Sequence, residues 1–163
     1  GTPILQPGPY DGGNIENDII GYLADYEPIS FSTSNRSPKN YIDAAIALCD
    51  YNDISNIIAL QGAITDTTHG RVGMKVKKTG RTTEFTTGKI LYTNASLMIA
   101  YEGGYALFVN QIITNAMSES GDSGSILLNN SNKAVGLLFA GSNSYSIFNP
   151  ISAVLKTLNI KLL

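Results

Sequence analysis

At 163 residues, with 43% hydrophobic and 15% charged content, the sequence is long enough to bury a core and too apolar to remain disordered. A net charge of −2, with no Lys/Arg run longer than Lys77-Lys78, gives no electrostatic footing for nucleic acid, and the longest apolar run, Ala44–Cys49, is far too short for a membrane-spanning helix. The single cysteine, Cys49, excludes an intramolecular disulfide and leaves the compartment, cytosolic or exported, open.

Residues 1–18 are dense in Gly, Pro, Asn and Asp and read as loop. Ile19–Leu23 and Pro28–Phe31 are predicted as short strands, followed by a polar loop from Ser32 to Lys39. Tyr41–Leu48 is an apolar run with one acid, Asp43, inside it. A weak boundary within Gly62–Arg71 divides a unit 1–65 from a unit 66–163. Beyond Val72 the β pattern strengthens: Met74–Lys78 alternates, and Gly80-Arg81-Thr82-Thr83 reads as a turn. Thr86–Tyr92 and Ser96–Tyr101 are predicted as paired strands across a Thr93-Asn94-Ala95 turn. Tyr105–Ile113, Gly124–Leu128 and Ala134–Phe139 add strands, and Glu102-Gly103-Gly104-Tyr105 is a turn. Short strands at this spacing with Gly-rich turns point to a barrel or sandwich. One helix closes the chain. Asn149 is its expected N-cap and Pro150 its first turn, with Ile151, Val154, Leu155 and Leu158 on one face.

Two segments carry chemistry. In Gly121-Asp122-Ser123-Gly124-Ser125 a serine sits between glycines ahead of a strand. Acyl transfer needs an exposed hydroxyl beside backbone N–H groups aimed at the developing oxyanion, and glycines let the chain turn tightly enough to present both. The plain alternative is an ordinary Asp-Ser-Gly turn. Asp43 is the second. An acid within Ile42-Asp43-Ala44-Ala45-Ile46-Ala47 is costly to bury unless its charged form is hydrogen-bonded, and a buried carboxylate is what holds a catalytic imidazole in the right tautomer. A strand-end or turn aspartate is the alternative there.

Together the two segments resemble the chymotrypsin-like serine peptidases, in their disulfide-poor bacterial form. Asn40–Ala47 is similar to that family's acid-bearing segment, and Gly121–Gly124 to its nucleophile segment. Gly80–Thr83 with Thr86–Gly88 is similar to the opening of its second barrel, and Asn149–Leu158 to its C-terminal helix. The resemblance implies a mainly β chain: a double β-barrel, its first barrel incomplete, closed by a helix. It implies Ser123 as nucleophile, the N–H groups of Gly121 and Ser123 as oxyanion hole, and Asp43 orienting the general base. Phe139, Ala140 and Gly141 would line a cleft that pairs with an extended peptide, and Met117 would floor the specificity pocket. No acid stands at Met117, so the expected pocket is small or apolar rather than basic-residue specific. In animal members the residue matching Asp122 pairs with a freshly cut amino terminus, a detail that does not transfer.

The departure is the base. The family order is His, Asp, Ser, and no histidine precedes Asp43. The sole histidine, His69, gives the order Asp, His, Ser of subtilisin, but that architecture needs large crossover helices and this sequence predicts almost none before Asn149. His69 in Thr67-Thr68-His69-Gly70 reads as a surface-loop residue, and Cys49, ending an apolar run, as an inert thiol. The expectation is therefore the C-terminal part of a serine endopeptidase whose histidine lies in a missing upstream segment. Alone it would be inactive, since removing a triad histidine lowers turnover by about 10⁶. The open first barrel would hold that segment as a separate fragment or pair with a second copy. A non-catalytic peptide-binding relative is the alternative, and a β-rich structural domain the third reading. No metal or cofactor motif is legible.

Overall fold

The computed structural model, which describes residues 1–162, divides its main strands between two sheets. β1 (Pro3–Leu5) and β2 (Ile19–Tyr26) are followed by the short β3 (Lys39–Asn40) and then β4 (Ala45–Cys49). β1, β2 and β4 form an antiparallel sheet in the order β1-β2-β4. Three two-residue strands come next: β5 (Ile57–Ile58), β6 (Gly62–Ala63) and β7 (Asp66–Thr67). The second half holds β8 (Lys75–Gly80), β9 (Glu84–Tyr101), β10 (Gly104–Asn115), β11 (Ile126–Asn129), β12 (Lys133–Gly141) and β13 (Tyr145–Pro150), then α1 (Ile151–Thr157). These six strands pair in the order β11-β8-β9-β10-β13-β12, and β12 pairs back onto β11, so the ladder returns to its starting strand.

Alternation puts one face of each of those strands inside. Val76, Ile90, Ile112, Leu127, Val135, Leu138 and Phe148 meet there as the principal core. α1 packs elsewhere: its buried Val154, with Leu158 just beyond its end, closes on Ile42 and Ala44. Each of the larger side chains, Val154, Leu158 and Ile42, contributes about 1.5–3 kcal/mol on full burial. The same packing fixes the backbone on either side of Asp43. β3 stitches this region to the larger sheet by pairing in parallel with Leu107 and Phe108 of β10.

The smaller sheet is uncovered. Tyr22 and Leu48 face each other across β2 and β4 and are 50% and 75% exposed, and Tyr26 is 56% exposed. Three strands alone bury little, so this apolar face lacks a second layer among the described residues.

Four local expectations are corrected. Residues 1–18 are not all loop, since Pro3–Leu5 pairs with β2 as β1. Pro28–Phe31 is not a strand: the Asn40 side chain brackets it instead, accepting the Ser30 N–H at 2.8 Å and donating to the Ser30 carbonyl at 2.9 Å. Thr93–Ala95 is not a turn. β9 runs straight through it, with Asn94 at φ 54° opposite a matching irregularity where Asn110 stands at φ 62°. Asparagine tolerates that left-handed geometry, so the signal for a turn was here the signal for a bulge. Finally, Asn149 does not cap α1. Pro150 holds the N-cap position without a side-chain bond, because the Asn149 amide is spent in the interior.

Candidate active site

Ser123 sits exposed on the loop between β10 and β11. Gly121 at φ 100° and Gly124 at φ 90° hold conformations that L side chains rarely adopt, and a Cβ on Gly121 would collide with Thr82 Oγ1. The turn is pinned to β12: the Gly124 N–H donates to the Leu138 carbonyl at 2.8 Å, and the Leu138 N–H to the Ser125 carbonyl at 3.0 Å. Among the described residues neither the Gly121 N–H nor the Ser123 N–H has a protein acceptor. Both therefore stand unpaired on the same turn as an exposed hydroxyl.

Asp122 anchors the turn from below. Its buried carboxylate accepts the N–H groups of Thr82 (2.7 Å), Thr83 (3.0 Å) and Glu119 (2.9 Å) and the Thr83 hydroxyl (2.6 Å). Lys78 Nζ lies 3.3 Å from Oδ2 and also donates to the Thr83 hydroxyl and, at 3.2 Å, to the Glu84 carbonyl. Burial pushes the Asp122 carboxyl up, but the Thr83 hydroxyl and the Glu119, Thr83 and Thr82 N–H groups together outweigh it and hold the group well below the usual carboxylate range. Sequence reading passed over Lys78, although the alternation Val76, Lys78 already placed it on the inward face of β8.

A hollow of about 480 Å³ opens beside Ser123. Phe139, Ala140 and Gly141 line it, together with Ser118, Ser120 and Ser142. Met117 does not. Its side chain lies in the core, and only its N–H reaches toward the site, donating to Ser146 Oγ at 3.0 Å. Ser146 in turn pairs with Ser118 Oγ at 2.6 Å, so the wall beside Phe139 is hydroxyl-rich where an apolar floor was expected. β12 pairs with β11 only as far as Leu137, which leaves the outer edge of Phe139–Gly141 open.

Asp43 is half-buried and lines a different hollow, of about 440 Å³, with Leu23, Tyr26, Ile29 and Phe31. Its Oδ2 accepts the Tyr101 hydroxyl at 2.7 Å, and its N–H donates to Asn149 Oδ1 at 3.1 Å. Asn149 Nδ2 donates to Gln111 Oε1 at 2.8 Å, and Gln111 Nε2 to the Tyr41 carbonyl at 2.8 Å. Both amides are fully buried, so this chain fixes the Asp43 backbone from the interior. A row of rings joins the two hollows. Phe31 meets Tyr101 edge-on at 6.0 Å, Tyr101 meets Phe108 at 6.2 Å, and Phe108 meets Phe139 at 4.8 Å.

The fold thus gathers Ser123 and the Phe139–Gly141 wall around one hollow and sets Asp43 in its neighbour, with no residue lining both. His69 is exposed on the connection between β7 and β8 and lines neither. Cys49 is half-buried at the end of β4, also away from both.

No family model matches the sequence, and no curated protein does. Solved structures do. Cellulomonas bogoriensis chymotrypsin superposes with a TM-score of 0.67 at 23% identity, over 93% of this chain and 79% of that one. Thermobifida fusca protease A gives 0.63 at 23% identity over 76% and 69%, and Nocardiopsis protease 0.61 at 20% over 86% and 89%. At such identities the likeness establishes the fold: the chain is built on the chymotrypsin-like plan of bacterial serine proteases.

Proposed function

Proceeding from that fold, we propose that this chain carries the nucleophile and the orienting acid of a serine endopeptidase. Ser123 Oγ attacks the scissile carbonyl, and the N–H groups of Gly121 and Ser123 receive the oxyanion. An extended peptide adds to the open outer edge of Phe139–Gly141 and sends a side chain into the hydroxyl-rich hollow. Asp43 orients a histidine supplied by an upstream segment. That segment docks on the uncovered face of β1-β2-β4 and fills the hollow beside Asp43, which places its imidazole between the two cavities.

The observation that carries this reading is the Ser123 turn itself. Two glycines in left-handed geometry and two N–H groups without a protein acceptor among the described residues frame an exposed serine, an arrangement that acyl transfer needs and packing does not. A peptide-binding relative without catalysis shares the hollow and the open edge. Hydrolysis of a casein-derived peptide pool separates the two: the polypeptide extended upstream through its histidine cleaves it, whereas this chain alone and the Ser123→Ala variant do not. Cleavage undiminished by Ser123→Ala overturns the assignment.

A further inference from the structure

The Asp43 carboxylate has one side-chain donor among the described residues, the Tyr101 hydroxyl at the end of β9. Its other oxygen, Oδ1, accepts no hydrogen bond among the described residues, and Asp43 lines the hollow together with Tyr26 and Glu27. Building on the peptidase reading above, we propose that Tyr101 is a positioning residue of the site: its hydroxyl pins Asp43 through Oδ2 and leaves Oδ1 as the acceptor for the incoming imidazole N–H.

Three observations support the assignment. The phenol lies 2.7 Å from Oδ2, the length of a good hydroxyl–carboxylate bond, and the ionised carboxylate can only accept, so the proton belongs to tyrosine. The ring is held on both sides, edge-on by Phe31 at 6.0 Å and tilted on Phe108 at 6.2 Å, so the hydroxyl has a fixed aim. And no other side-chain donor reaches either carboxylate oxygen of Asp43 among the described residues. Burial first, and the Asp43 hydrogen bond second, push the phenol above its ordinary range, which keeps it a donor at any working pH.

A carboxylate held at one oxygen has lost most of its rotational freedom before the imidazole arrives, which is the preorganisation that triad geometry requires. Without the phenol, Asp43 swings more freely and also keeps more of its charge for the imidazolium. The charged and titratable groups facing it are few: Glu27 and Tyr26 across the hollow, Tyr101 from β9, and the neutral Asn149 amide behind it.

The test has two arms. In this chain, NMR of tyrosines labelled at the ring carbon bearing oxygen follows the Tyr101 phenol, identified by its loss in Tyr101→Phe. At neutral pH, replacement of Asp43 by Asn moves that carbon's resonance, because the phenol loses its carboxylate acceptor; an unmoved resonance overturns the contact. In the polypeptide extended through its histidine, Tyr101→Phe lowers kcat about tenfold, as for loss of one hydrogen bond to a charged group, with KM little changed. The acid limb of its kcat/KM profile moves to higher pH, a readout that mere loosening of the fold does not produce. An active parent indifferent to Tyr101→Phe in kcat and in that limb overturns the role of Tyr101 alone. A folded parent that neither hydrolyses peptide nor takes an acylating label on Ser123 overturns the peptidase reading itself.

Discussion

Lys78 Nζ stands 3.3 Å from Asp122 Oδ2, and both side chains are fully buried. A buried ion pair holds together only when its remaining polar valences are met, and here the surrounding threonine and backbone groups meet them. Asp122 directly precedes Ser123 in the chain, and its bonds to Thr82 and Thr83 tie the Gly80–Glu84 turn to the serine turn.

Lys78→Met leaves the Asp122 charge buried without its cation. Breaking a buried pair on one side costs about 3–5 kcal/mol. The four hydrogen bonds that remain on Asp122 place the expected loss toward the lower figure, read as a shift of the urea midpoint at neutral pH. An unchanged midpoint would show that the ammonium does not stabilise the fold.

The same carboxylate predicts acid sensitivity. Its folded pKa lies below its unfolded value near 3.9, so its contribution is complete above that pH and is lost as pH falls toward the depressed folded pKa. Urea midpoints measured from pH 6 downward should hold steady at first and drop below about pH 4. In Asp122→Asn the drop in that window should shrink, from a lower starting stability. An equal acid slope in both proteins contradicts the assignment.

Ser146→Ala removes the acceptor of the Met117 N–H and the partner of Ser118. The buried amide is left unpaired, at about 1–3 kcal/mol. Ser146→Thr, which keeps the hydroxyl, should recover stability to the extent that its methyl is accommodated. Thermal unfolding of the two variants side by side checks this.

Gly121→Ala places a side chain at φ 100° against Thr82 Oγ1. Strain at such a position exceeds about 1 kcal/mol, and the turn must shift to relieve it. Amide hydrogen exchange should rise across residues 119–124 in this variant and stay native in α1, which packs far from that turn against Ile42 and Ala44. Unaltered exchange in 119–124 would mean that the turn does not need its glycine.

Local patterning made much of the fold legible. Alternation found β8 and the start of β9, the Gly80–Thr83 turn followed from its residues, and the 3.6-residue period found α1. Gly121-Asp122-Ser123-Gly124 was readable because a left-handed turn demands glycine at particular places. What escaped is decided at long range. Pro28–Phe31 has strand-like residues, but Asn40 satisfies its backbone from ten positions away. Tyr101 meets Asp43 across 58 residues, a pairing that no periodicity encodes. Met117 and Ser118 lie just beyond β10, and the Ser146 hydroxyl that meets the N–H of one and the hydroxyl of the other comes from 29 and 28 residues away.

The most direct measurement is intact-mass spectrometry of the polypeptide extended upstream through its histidine, before and after a fluorophosphonate. One adduct mapping to Ser123, absent from Ser123→Ala and from this chain alone, is the expected result. A folded, histidine-bearing polypeptide that gains no adduct, or gains it on another residue, would contradict the assignment of Ser123 as the nucleophile.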